Sequence, residues 1–122
     1  MAGSIFYALM GAPLSRGYAT SSTDTGHEST SHDGSYALGH REKVIDFGYR
    51  SVHEMTVTSK LIIAAYYGSA PKFSYWTGCS TGGRQALAEA QRFPADYNGI
   101  VAGAAPFWVL NGLSAIGATL LQ

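Results

Sequence analysis

A single cysteine, Cys79, excludes a disulfide framework within these 122 residues and any zinc site built on paired thiolates. Charge is scarce as well. Only 13% of residues are charged and the formal net charge is zero. Lys and Arg are scattered, which excludes the basic footprint of a nucleic-acid partner. No apolar run reaches the roughly 20 residues of a membrane-spanning helix. Residues 1–14 lack the basic start and the length of a signal peptide. Histidine is missing from the whole second half: His27, His32, His40 and His53 all precede residue 54. What is present is a globular composition, 46% hydrophobic with 15 Gly. A chain of this length can bury a modest core. No internal repeat is visible.

The most informative segment is Gly78-Cys79-Ser80-Thr81-Gly82. A G-x-S-x-G turn between a strand and a helix is a nucleophile elbow, which pushes the Ser hydroxyl out of the backbone and aims the next N–H, here Thr81, at a developing oxyanion. The pentapeptide alone is weak, so its flanks must decide. Lys72–Thr77 is short and aromatic and follows Pro71, as a strand does. Arg84–Arg92 is rich in strong helix formers and stops at Phe93-Pro94. Gly99–Pro106 is a second apolar run. Strand, elbow, helix and strand make one βαβ unit, with Gly78 and Gly82 as the elbow glycines and Ser80 at the switch.

Chemistry on Ser80 needs a base and an orienting acid. Downstream of it stand only two carboxylates, Glu89 and Asp96, and no histidine. The order Ser, acid, His of α/β-hydrolases is therefore incomplete here. Two explanations remain open. Either Asp24 and His27 fold back in another triad order, or the chain is the front part of a longer enzyme. The second is preferred, because a complete sheet needs more strands than the pattern offers. Cys79, beside the nucleophile, reads either as a small buried residue at the strand end or as half of a disulfide with a partner beyond residue 122.

Elsewhere the reading is coarser. Residues 17–24 read as a strand entering a loop, and 21–35 as a polar surface loop. Within it, His27-Glu28 to His32 is one residue longer than the zinc motif H-E-x-x-H, so no metal site is assigned. Glu42 to about Tyr67 reads as a helix with Ile45, Tyr49, Val52 and Thr56 on one face. A break near Thr56–Thr58 is expected from clustered β-branched residues, and a C-cap at Gly68. Phe107–Gln122 has few breakers and suits a helix.

Several blocks together resemble one family, the tannases and feruloyl esterases, which are secreted serine esterases. The blocks are Arg16–Thr20 running into Ser22–His27, Lys43–Arg50, His53–Thr56, Tyr75–Gln85, Gln91–Pro94 and Tyr97–Ala104. The sequence departs from the family pattern at His40-Arg41, before the long helix, and at Ala104–Phe107, where an Ala-Pro pair is shifted by one residue. The resemblance implies an α/β-hydrolase fold, a mostly parallel sheet with flanking helices, of which residues 1–122 carry one truncated catalytic portion. It implies Ser80 as nucleophile, the Thr81 N–H as oxyanion donor, and Met1–Ile5 as the edge of a Gly-rich loop giving the second donor. It also implies that Cys79 pairs with a cysteine next to the catalytic His. That His, the acid and a lid with a calcium site would lie beyond Gln122.

The resemblance thus implies an ester hydrolase acting on small or polysaccharide-linked esters of aromatic hydroxy acids. No cofactor is expected in this chain, and no nucleic-acid or membrane partner. The parent would be secreted or periplasmic, and the chain by itself inactive. The rivals are a non-catalytic fragment, and a small βαβ module that binds anions at Gly82-Gly83 and the helix N-terminus.

Overall fold

The computed structural model of the chain describes residues 3–30 and 33–106. In order they form helix α1 (Tyr7–Ser15), a 3₁₀ turn at Ser35–Ala37, helix α2 (Arg41–Ile45), a π-helical turn (Asp46–Arg50) and helix α3 (Ser51–Tyr67). Strand β1 (Tyr75–Cys79), helix α4 (Thr81–Arg92) and strand β2 (Gly99–Gly103) follow. The expected tail helix, Met1, Ala2 and His32 lie outside the described residues.

β1 and β2 pair in parallel, Tyr75 opposite Gly99 and Cys79 opposite Gly103. Parallel neighbours cannot be joined by a hairpin, and α4 is the crossover that joins them. The strand-elbow-helix-strand order expected from the sequence is present. β1 starts three residues later than expected and takes in Gly78 and Cys79. The helix begins at Thr81, directly after the serine.

The long helix also forms, with two differences. No break occurs at Thr56–Thr58. Thr56 Oγ1 donates instead to the Val52 carbonyl at 2.8 Å, so the β-branched side chain satisfies its hydroxyl without leaving the helix. The irregularity comes earlier, at the π turn, where one residue more than an α-helix needs is wound in. Gly68 ends the helix at φ 73°, the left-handed C-cap that glycine adopts without strain.

Residues 17–24 are not a strand; among the described residues the sheet has two strands only. Local side-chain bonds take the backbone donors at the end of that segment. Thr23 Oγ1 accepts from the Thr25 N–H at 3.0 Å and Asp24 Oδ1 from the Gly26 N–H at 2.8 Å. Such turns compete with a ladder. α1 was not foreseen, because Gly11 and Pro13 argue against a helix; none of its residues is buried.

The core sits between α3, α4 and the sheet. Val52 and Ala86 are its fully buried hydrophobic side chains among the described residues. α4 turns Gly83, Ala86 and Glu89 inward, three residues apart along one stripe. Gly83 is required there. A Cβ on it would lie 2.3 Å from the Gly103 carbonyl oxygen, so helix and β2 touch backbone to backbone. Leu61, Ile62, Tyr66 and Tyr67 on α3 remain exposed.

Candidate active site

Ser80 occupies the junction of β1 and α4 with φ 56° and ψ −118°. A residue with a Cβ reaches such a conformation at a cost of order 1–3 kcal/mol, so the surroundings must hold it there. They do so through main-chain bonds. The Ser80 N–H donates to the Gly103 carbonyl at 3.0 Å, extending the ladder past the strand, and the Ser80 carbonyl accepts from the Arg84 N–H at 3.0 Å. Gly78 makes room: a Cβ on it would lie 2.5 Å from the Gly82 carbonyl oxygen. Gly82 itself faces open space, so the second steric glycine of the elbow is Gly83.

The hydroxyl of Ser80 is idle. Serine is a favoured N-cap because its oxygen accepts from the first-turn N–H groups, typically worth about 1 kcal/mol. Ser80 is the N-cap of α4 and makes no such bond. The side chain is exposed instead. The first-turn N–H groups of α4, Thr81 included, are left without a side-chain cap, at the positive end of the helix dipole. An outward hydroxyl beside free, oriented N–H groups is what nucleophilic attack on a carbonyl requires.

Two side chains brace this turn. Trp76 Nε1 donates to the Gly82 carbonyl at 3.0 Å. Arg84 donates to the carbonyls of Gly48 at 3.0 Å and Phe47 at 2.8 Å in the π turn. The Arg84 guanidinium also lies 4.6 Å from the Phe47 ring centre, and burial holds its pKa below the ordinary arginine value. Sequence reading missed both braces. Their only signal was polar or amphipathic side chains flanking the elbow.

Among the described residues no histidine hydrogen-bonds to Ser80. His27 is buried, stacks on Tyr36 at 3.5 Å and turns Nδ1 toward the Thr25 carbonyl at 3.2 Å. Asp24 spends Oδ1 on the Gly26 N–H. The reversed triad with Asp24 and His27 therefore has no contact to stand on. His53 Nδ1 meets Asp96 Oδ2 at 2.6 Å, and its ring stacks on Phe93 at 3.9 Å.

His53, Asp96 and the buried Glu89 bring a ring nitrogen and two carboxylates within 4.8 Å of one another. Glu89 lies nine residues along α4 from Ser80, roughly 13 Å down the axis, so the cluster belongs to the far end of the helix. Neither Glu89 oxygen has a hydrogen-bond partner. Burial first, then the Asp96 charge, pushes its carboxyl up to about 7. The 2.6 Å contact of His53 with Asp96 is a hydrogen bond, closer than the roughly 3 Å between two ligands of one cation. Calcium takes about six to eight oxygen ligands, which this cluster does not offer.

Cys79 is a free, exposed thiol, not the buried strand-end residue that was one reading of it. Gly3 docks on the loop after residue 24: its N–H donates to the Asp24 carbonyl at 2.8 Å, and its carbonyl accepts from the Ser29 N–H at 3.2 Å. An open cleft of about 430 Å³ lined by Ser22, Asp24, Asp46, Ser51 and Glu54 does not reach Ser80. No helix among the described residues is long and apolar enough to cross a membrane.

The chain is 45% identical over 93% of its length to an uncharacterised esterase of Xanthomonas campestris, covering 20% of that protein. It is 44% identical over 80% of its length to feruloyl esterase B of Aspergillus niger, covering 18% of it. It is 42% identical over 84% to the mono(2-hydroxyethyl) terephthalate hydrolase of Piscinibacter sakaiensis, covering 18%. The crystal structure of feruloyl esterase B from Aspergillus oryzae superposes with a TM-score of 0.82 at 38% identity, over 86% of this chain and 21% of that one. The chain thus spans about a fifth of the length of these relatives and carries part of the α/β-hydrolase fold. Residues 1–119 match the tannase and feruloyl esterase family, and the chain belongs to it.

Proposed function

We propose that this chain is the nucleophile-bearing front portion of a serine carboxylic ester hydrolase whose acyl-enzyme forms on Ser80. The observation that carries the reading is the strained, exposed and uncapped Ser80 at the strand–helix junction. Ser80 Oγ attacks the ester carbonyl while a His from outside this chain takes its proton. The carbonyl oxygen becomes an oxyanion, and the Thr81 N–H donates to it. The C–O bond to the alcohol breaks as the same His protonates the leaving oxygen. Water then attacks the acyl carbonyl and releases the acid and Ser80.

The substrate class in this reading is an ester of an aromatic hydroxy acid, free or polysaccharide-linked. It is supported by relatives named for feruloyl and terephthalate esters. The acid, the His, a cysteine partner for Cys79 and any calcium site belong to parts of the protein outside this chain. The parent works outside the cytoplasm, where such a disulfide persists. The isolated chain, without any His after the nucleophile, is expected to have little or no turnover, an oxyanion hole alone leaving at most a residual.

The test is hydrolysis of methyl ferulate and a p-nitrophenyl ester by the full-length protein. Ser80→Ala is expected to lose at least about 10³-fold in kcat, because removing a triad nucleophile leaves only residual catalysis. Retained turnover in Ser80→Ala would sink the assignment.

A further inference from the structure

Arg84 stands four residues after Ser80 in the first turn of α4, and its own N–H holds the Ser80 carbonyl. Its side chain is half-buried and has no carboxylate partner among the described residues. That is an unusual use of an arginine, since a desolvated cation without a counter-charge is costly. Arg50, in the nearby π turn, shows the ordinary use: it pairs with Glu42 and Asp46, each at 2.6 Å. Arg84 instead gives one nitrogen each to the consecutive carbonyls of Phe47 and Gly48, with its central carbon 4.6 Å from the Phe47 ring centre. Both carbonyls belong to the π turn, the one irregular turn of the long helical run. Phe47 in turn meets the buried His27 ring edge-on at 6.0 Å. The first turn of α4 is thereby tied by a planar two-pronged donor to the π turn.

We propose that Arg84 is a positioning residue for the elbow: its fork on the π-turn carbonyls fixes the pitch of the first turn of α4. That pitch sets where Ser80 Oγ and the Thr81 N–H point. Arg84 touches main-chain carbonyls and not substrate, so it acts through the turn. The proposal rests on the reading of Ser80 as nucleophile. A lysine keeps the charge but not the preorganised planar fork. Misplacing a reacting group by about 1 Å can cost on the order of 10²-fold in rate.

The experiment compares Arg84→Met, Arg84→Lys and Ser80→Ala in the full-length protein, with rates expressed per folded molecule from circular dichroism. Steady-state hydrolysis of methyl ferulate gives kcat and KM separately, and the second-order rate of fluorophosphonate labelling reports Ser80 without the ester substrate. Arg84→Met is expected to lose about tenfold to a hundredfold in kcat and in labelling rate, with KM within about twofold. Arg84→Lys is expected to fold and to recover only part of both rates. Should Arg84→Met fail to fold, Arg84→Lys decides. Wild-type kcat and labelling in Arg84→Lys, or in a folded Arg84→Met, would overturn the positioning role. A loss confined to KM would overturn it too. If Ser80→Ala keeps its turnover, the nucleophile reading falls instead. If Ser80→Ala is inactive and the Arg84 variants match wild type, only the positioning proposal falls.

Discussion

At the scale of single residues, the balance is between strain and chemistry. Ser80 forgoes a capping bond and sits at positive φ, two local losses that helix α4 and the β2 carbonyl offset. Glu89 is a second such case. Its carboxyl is buried without a partner, and its pKa is pushed from 4.5 up to about 7. The sign follows directly. Below about 4.5 the carboxyl is protonated both folded and unfolded. Between about 4.5 and 7 only the folded state holds the proton, so folding stability falls as pH rises, by up to about 1.4 kcal/mol per unit. Glu89→Gln removes that slope. Urea unfolding of the full-length protein at pH 4.5 and pH 8 is expected to give similar stability for both proteins at the lower pH, with the Gln variant ahead at the higher. A parallel fall with pH in both proteins would contradict it. Cys79 carries a separate expectation: in the oxidised full-length protein it is disulfide-bonded, a tie worth roughly 4–5 kcal/mol by loop-closure entropy. Thiol counting with and without reductant checks this, and a free Cys79 in that protein would refute the tie.

At the scale of elements, packing between α4 and the strands decides what can change. Gly83→Ala would drive a methyl into the Gly103 carbonyl, 2.3 Å away, and is expected to lower stability by about 1–3 kcal/mol or more. Gly82→Ala meets open space in a helical turn and is expected to be neutral or to gain up to about 1 kcal/mol. Thermal unfolding of the two variants side by side would show the order, and equal losses would contradict it. This pair also marks the limit of what was legible in the sequence. The G-x-S-x-G pattern placed Ser80 at a strand–helix junction, because a strand–Gly–helix rhythm is local, though the helix begins at Thr81, three residues before the expected Arg84. It could not say which of Gly82 and Gly83 faces β2, since that depends on the rotation of α4 against its neighbour. The long helix was legible from the Val52–Thr56 face. Its π turn was not, because Asp46–Arg50 carries no composition that separates five-residue from four-residue hydrogen bonding. Residues 17–24 misled for the opposite reason: their strand-like composition was overruled by Thr23 and Asp24 bonding to their own backbone.

At the scale of the molecule, the described residues hold a βαβ unit, a long helical run and a loop that docks Gly3 and His27, with a small core around Val52 and Ala86. The chain matches its relatives over about a fifth of their length, and in this reading the catalytic base and acid come from the rest. The absence of histidine after residue 53 was legible at once, and in the proposed reading the base that serves Ser80 comes from outside this chain. One measurement tests that account most directly: fluorophosphonate labelling of the full-length protein followed by peptide mapping. The account predicts one covalent adduct, on the peptide carrying Ser80, that disappears in Ser80→Ala. An adduct on another residue, or undiminished labelling of Ser80→Ala, would contradict it.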